Sequence, residues 1–331
     1  MKKLCLCLAA AIVLSFACAA CAAPLKVSLL ISGRVGDIPA SFNDICVSGL
    51  RNAQKRYAKK ISTSVFNSLE DKNKLQATLD EAAARSDVVI VVDAAYLPYL
   101  KDVAETYPSV KFITLDPTDV PNVKQAVFRE EEGAFLAGAL AALMTTQTDQ
   151  PRINGQKVVG VVLGPDVPSI RRFEKGYVAG AWYVDKDVTV LVERTGSFSD
   201  AGQGMSKAKQ LSARGADVIF AAAGAAGLGV VQTAAESRAF WVIGADNELE
   251  SQYGSDVLAS VVKRSDLLIS RIIDACVKKQ DDDKSMTVGL SEEGIDISFW
   301  TREAKNNIPL SIRNRVNEMS DKIKAGLIII K

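Results

Sequence analysis

Short apolar, β-branched runs alternate with longer stretches of helical periodicity along most of the chain. LKVSLLI (25–31), ISTSVF (61–66), DVVIVVD (87–93) and VKFITLD (110–116) read as strands, and 41–60, 69–85 and 96–107 between them read as helices. A helix over 130–146 and the turn-rich TDQPRINGQK (148–157) follow, and then the alternation restarts. Strands at 158–164, 188–193, 216–222 and 240–246 are separated by helices at 168–184, 200–214 and 226–238. Alternation of this kind predicts parallel sheets covered on both faces. Two series of similar size predict an α/β protein of two lobes, each a parallel sheet flanked by helices, with a hinge between them.

The tail holds a strand (257–262), a helix (265–279), MTVGL, IDISFW and a last helix (310–325), too few elements for a third core. It is expected to return to the existing lobes. The reading divides the chain into lobe 1 at 21–150, completed by about 250–283, and lobe 2 at 151–249, completed by about 284–331. QDDDKS (280–285) reads as a solvated turn.

The first residues change the picture of where the protein works. MKKLCLCLAAAIVLSFACAACAAP has two lysines, an uncharged apolar run and then small residues. That is the layout of a signal peptide, here residues 1–20, and it predicts export. Cys18 and Cys21 follow small residues in a way that resembles a lipoprotein cleavage box. Cys21 is the expected lipidation site, which anchors the protein to the cell membrane facing the periplasm or the outside. Soluble release after Ala20-Cys21-Ala22 is the alternative. Downstream only Cys46 and Cys276 remain, too few for a disulfide framework, and each reads as a buried small apolar residue.

Net charge is +1, and falls to −1 once Lys2 and Lys3 leave with the leader, so nothing calls for nucleic acid. The sequence contains no histidine. That removes Ser-His-Asp and Cys-His catalysis and most catalytic zinc sites. The chain reads as a monomeric binding protein and not an enzyme, with no catalytic residue, metal or cofactor.

In open parallel sheets, ligands bind beyond the carboxyl ends of the strands. Phe42, Asp93, Tyr96, Asp116, Phe198, the glycine loop Gly224–Gly229 and Asp246 all fall there. Singly, the rings read as hydrophobic staples and the acids as helix caps. Together they suit a small-molecule site. Two rings can sandwich a flat heterocycle, and carboxylates accept hydrogen bonds from hydroxyls but repel phosphate. The chemistry fits an uncharged ribosylated or ribityl aromatic compound.

The segments SFND (41–44), FREEEGAFLAG (128–138), PSIRRFEKGYVAG (168–180), GSFSDAGQG (196–204), GADVIFAAAGAAGLG (215–229), IGAD (243–246) and VLASVVKR (257–264) resemble the basic membrane protein family. Its members are solute-binding lipoproteins of ABC importers, similar to purine nucleoside receptor A. The resemblance implies a two-lobed periplasmic-binding fold of type I, with permease and ATPase subunits as partners. It implies that Phe42 and Phe198 clamp the base, Asn43 touches it, and Asp116, Asp246 and Lys263 hold the ribose. Backbone contact is implied around Gly224 and Gly227, while FREEEGAFLAG reads as a packed helix without ligand contacts. The chain departs from the family at Pro39, at Asp93-Ala-Ala-Tyr96 and in the NELE that follows IGAD. These departures lie on the base side of the pocket. The expected ligand is a purine nucleoside; riboflavin, bound by another branch of the family, is the alternative. A ligand-sensing receptor without a transport role is the reading from another class.

Overall fold

The computed structural model describes residues 23–33, 35–36, 41–69, 71–280 and 285–330; the leader, Cys18, Cys21 and Pro39 lie outside the described residues. The first run of elements is β1 (Leu25–Ile31), α1 (Phe42–Tyr57), β2 (Ile61–Asn67), α2 (Leu75–Arg85), β3 (Val88–Val91), α3 (Leu97–Thr106), β4 (Lys111–Thr114) and β5 (Val123–Phe128). The second is α4 (Glu130–Met144), β6 (Val158–Leu163), α5 (Pro168–Val184), β7 (Thr189–Arg194), α6 (Ala201–Ala213), β8 (Val218–Ala222), α7 (Gly227–Ser237), β9 (Trp241–Asp246), α8 (Glu250–Tyr253) and β10 (Val257–Lys263). The tail supplies α9 (Ser265–Lys278), β11 (Met286–Val288), β12 (Ile295–Ile297), α10 (Arg302–Asn307) and α11 (Leu310–Lys324).

These strands form two sheets of six, ordered β11-β5-β4-β3-β1-β2 and β12-β10-β9-β8-β6-β7. All pairings are parallel except β10 with β12. The central strands β3 and β8 are buried at every residue, which is why VVIV and VIFAA carry no polar position. The edge strands β2 and β7 keep polar residues on their partly open faces. Within each sheet the first strand sits beside the second and third, so the order reverses between β1 and β3 and again between β6 and β8. Such reversals open a crevice at the strand ends.

The structure moves the expected lobe boundaries. α4, placed in the first lobe by the sequence reading, packs against α5, β8, β10, β12 and α11 of the second. Only Glu131 and Glu132 of its residues escape burial. A helix apolar on every side must be surrounded, and the groove between α5 and the second sheet surrounds it. β10 belongs to the second sheet, although 250–283 was assigned to the first lobe, and β11 at 286–288 belongs to the first. Helix α9 does join the first lobe, against α1. Strand β5 was not anticipated, and 71–74 form turns before α2, with Lys74 N donating to Asp71 O at 2.9 Å.

Among the described residues the chain therefore crosses between lobes three times: at Arg129, at Arg264 and across Gly289–Gly294. α4 and α5 approach through their backbones. A Cβ on Gly180 would lie 1.9 Å from the Phe135 carbonyl oxygen, and one on Gly138 would lie 2.0 Å from that of Tyr177. Cores of buried aliphatic and aromatic side chains fill both faces of each sheet.

Candidate functional site

A cavity of about 780 Å³ lies between the lobes, lined by residues that follow the carboxyl ends of strands in both sheets. Its position follows from the two order reversals: the residues after β1 and β3 face those after β6 and β8. Eight of the ten sequence-predicted binding residues line it: Phe42, Asn43, Asp93, Asp116, Phe198, Gly224, Asp246 and Lys263.

Phe42 is the first residue of α1. Ser41 caps that helix: its hydroxyl accepts from Asp44 N at 3.2 Å, and the Asp44 carboxylate accepts from Ser41 N at 3.2 Å. Such a reciprocal box satisfies two backbone donors at the helix start and fixes where the helix begins. The ring is therefore held at the cavity edge, partly buried against the core beneath α1.

Phe198 is positioned differently. The cap of α6 is Asp200, accepting from Gln203 N at 3.0 Å, so Phe198 lies in the loop before the helix. That loop is held by side chains at both ends. Thr195 Oγ1 donates to Ser197 O at 2.6 Å, and Ser197 Oγ accepts from Ser199 N at 3.1 Å. Phe198 O accepts from Ala226 N at 2.9 Å. Beneath the ring is Gly164, where a Cβ would come within 2.4 Å of the ring Cε1. The resemblance between SFND and GSFSD thus covers two unlike local structures that bring a ring to the same cavity.

An ionic cluster forms the centre. Lys263 Nζ donates to Glu130 Oε1 at 3.0 Å, and both side chains are buried. The ammonium also lies 4.7 Å from the Phe42 ring centroid and 4.6 Å from that of Phe128. Burial pulls the Lys263 ammonium down, but Glu130, Asp246 and Asp116 outweigh it and hold its pKa above the usual lysine range. Burial pushes the Glu130 carboxyl up to about 7 against the pull of Lys263. Burial also raises Asp116, opposed by Ser169 and Lys263, and raises Asp246, opposed by Lys263.

Three carboxyls thus share one ammonium, which leaves acceptors in excess. An anion is repelled by this set, whereas hydroxyl groups can donate to it. Asp246 carries a further mark. Its φ is +69°, a left-handed conformation that costs a non-glycine residue energy and that concentrates at ligand sites. Asp116 bridges the lobes, because its Oδ1 accepts from Ser169 N at the start of α5, at 3.2 Å.

Two expected residues stand elsewhere. Tyr96 is fully buried, its hydroxyl donating to Ile31 O at 2.7 Å and accepting from Ser68 N at 3.2 Å. It ties the end of β1 to the end of β2, because a ring this deep in the first lobe needs partners for its one polar atom. Gly227 begins α7 under Ala221 and does not line the cavity. Residues that the sequence reading passed over include Glu130, Ser32, Ser169 and Phe173. An acid at a helix start is ordinarily a favourable partner of the helix dipole, so Glu130 carried no distinguishing signal. Ser32 became visible only through Asp93, whose carboxylate accepts its hydroxyl.

Among the described residues, no group of three or more His, Cys, Asp or Glu is placed to hold a metal ion, and no helix is long and apolar enough to cross a membrane.

A family model described as ABC transporter substrate-binding protein PnrA-like matches residues 25–331. The chain is 31% identical over 294 residues to an uncharacterized lipoprotein of Pyrococcus horikoshii, covering 83% of this chain and 69% of that one. It is 34% identical over 219 residues to the ABC transporter nucleoside-binding protein BmpA of Lactococcus lactis subsp. cremoris, covering 59% of each. The crystal structure of an ABC transporter solute-binding protein from Aeropyrum pernix K1 superposes with a TM-score of 0.79 at 24% identity, over 93% of this chain and 94% of that one, and shares its fold. This chain belongs to the PnrA-like family of ABC transporter substrate-binding proteins, which bind their solutes and do not transform them.

Proposed function

We propose that this family member captures a purine nucleoside between its lobes and delivers it to the permease of an ABC importer. The observation that carries the reading is one cavity with an aromatic ring from each lobe, Phe42 and Phe198, above a carboxyl-rich floor. The flat base lies between the rings, where each stack contributes ~1–3 kcal/mol by analogy with bases on aromatic side chains. Asn43, at the same edge as Phe42, meets the polar rim of the base. The ribose hydroxyls donate to Asp116 and Asp246 and accept from Lys263. Gly224 brings backbone close to the ligand beside Phe198, with its own φ at +57°. Contacts to both lobes favour the closed arrangement, and closure about the three crossings commits the ligand. The nucleoside-binding name of the Lactococcus relative supports the same ligand class.

The lipoprotein names among the relatives support a membrane anchor, and Cys21 is the residue proposed to carry it. Replacing Cys21 by alanine is expected to move the protein from the membrane to the soluble fraction; retention in the membrane would exclude Cys21 as the anchor.

Calorimetry with guanosine, inosine, adenosine and riboflavin tests the ligand. Tight binding of a purine nucleoside, lost on removal of the ribose, is the expected result. A protein that purifies yellow, or binds riboflavin in preference, refutes the nucleoside.

A further inference from the structure

Two adjacent residues at the first crossing turn in opposite directions. Arg129 reaches outward to the third crossing, pairing with Glu132 and with Glu292. The same two carboxylates accept from backbone at that crossing, Glu292 from Gly289 N at 2.8 Å and Glu132 from Leu290 N at 2.7 Å. Glu130 turns inward, is 2% exposed, and takes the Lys263 ammonium at 3.0 Å. Lys263 is the last residue of β10, one position before the second crossing. Arg129–Glu130 therefore joins all three crossings, and its inner end lies within the ligand cavity.

We propose that Glu130 is a positioning residue for ligand capture: from the hinge it pins the Lys263 ammonium at the place where the ligand's hydroxyls must meet it. The inference rests on the nucleoside-like reading of the site and adds to it a residue from the helix that was read as packing alone.

Stability alone does not account for the pair. A buried ion pair is commonly matched or exceeded by apolar residues of the same volume, because desolvating both charges offsets their attraction. A lysine on a flexible four-carbon stem is also a poor instrument for fixing a hydroxyl unless something holds its head. Of the three ammonium donors, Glu130 engages one. The rings of Phe42, Phe128 and Phe173, with centroids 4.7, 4.6 and 5.7 Å away, confine the head further. The remaining donors share a cavity with Asp116 and Asp246.

The charged and titratable groups around the pair come from several elements. Asp116 stands after β4, Asp246 ends β9, and Cys46 of α1 feels the Lys263 charge. Arg172 of α5 lies 3.9 Å from Glu130 and donates to Phe128 O at 2.6 Å. Among them Glu130 makes the one hydrogen bond to the ammonium that is found among the described residues. Removing its charge leaves burial to pull the ammonium down.

The test is Glu130→Gln, which keeps the shape and removes the charge. Guanosine affinity is expected to fall by about tenfold, equivalent to ~1.4 kcal/mol. In protein labelled with ¹³C at the lysine Cε, the Lys263 signal, identified by its loss in Lys263→Arg, is expected to titrate at lower pH than in the wild type. Affinity within twofold of wild type together with an unchanged Lys263 titration overturns the proposal, whatever happens to thermal stability. If Glu130→Gln fails to fold, Glu130→Asp is read in the same two ways, since it withdraws the carboxylate by one methylene. The lysine titration needs no ligand. A wild-type protein that ignores nucleosides thus refutes the ligand, and the titration alone decides the placement of Lys263.

Discussion

Truncating Phe198 to alanine removes one jaw of the cavity and leaves the loop that carries it. The loop's own bonds do not involve the ring: Phe198 O stays on Ala226 N, and Thr195 and Ser197 keep their backbone partners. If the ring stacks on the ligand's base, its loss removes ~1–3 kcal/mol of binding. At ~1.4 kcal/mol per tenfold, the dissociation constant rises by roughly 5- to 150-fold. The ring is partly buried against the second lobe's core, so folding stability falls by about 1 kcal/mol, less than for a fully buried Phe. Calorimetric titration with guanosine, alongside urea unfolding of wild type and variant, separates the two effects. An affinity within twofold of wild type would refute the clamp. So would a fall in stability of about 3 kcal/mol or more, which is the signature of a core ring.

Other outcomes follow from packing and charge. Gly180→Ala places a methyl where Phe135 O already stands and is expected to force α4 from α5, lowering the midpoint of thermal unfolding by several degrees; an unchanged midpoint would mean that this contact does not hold the helices together. Burial raises the carboxyls of Glu130, Asp116 and Asp246, so in this range the folded protein binds more protons than the unfolded chain. Stability without ligand is therefore expected to rise on acidification from about pH 7 towards the ordinary carboxylate range, and to be lost as pH rises through about 7. Asp71, Asp166 and Asp185 are shifted down and titrate below that window. Urea midpoints without ligand check the direction: a midpoint higher at about pH 8 than at about pH 5 would contradict it, and Glu130→Gln is expected to flatten the slope.

Much of the architecture was legible because parallel strands buried on both faces announce themselves. VVIV in β3 and VIFAA in β8 have no polar face to confuse with anything else. What periodicity does not encode is which sheet a strand joins. β10 and β11 lie in the same stretch of tail and go to different lobes, a choice made by tertiary pairing. α4 was legible as a helix, but its lobe depended on backbone contacts at Gly138 and Gly180 that no pattern of side chains displays. At the site, the rings of Phe42 and Phe198 stood out because each falls beyond the carboxyl end of a strand, one in each series. Tyr96 stood out for the same reason and proved to be core, since its hydroxyl found Ile31 O inside the first lobe. Glu130 was hidden by the opposite effect: its position at a helix start already had a sufficient explanation.

The interleaving of the lobes governs the order in which this chain can finish folding. The first sheet opens at Leu25 but gains its last strand only with Val288, and α1 is covered by Leu268, Ile269 and Ile272 of α9. The second sheet likewise waits for β12 and for α11. Domains made of consecutive chain fold one after another as they emerge during synthesis. Here neither lobe can close until nearly the whole chain is available. A nascent chain of this design stays open along its length until late, which is the state in which a polypeptide can still be threaded through a membrane.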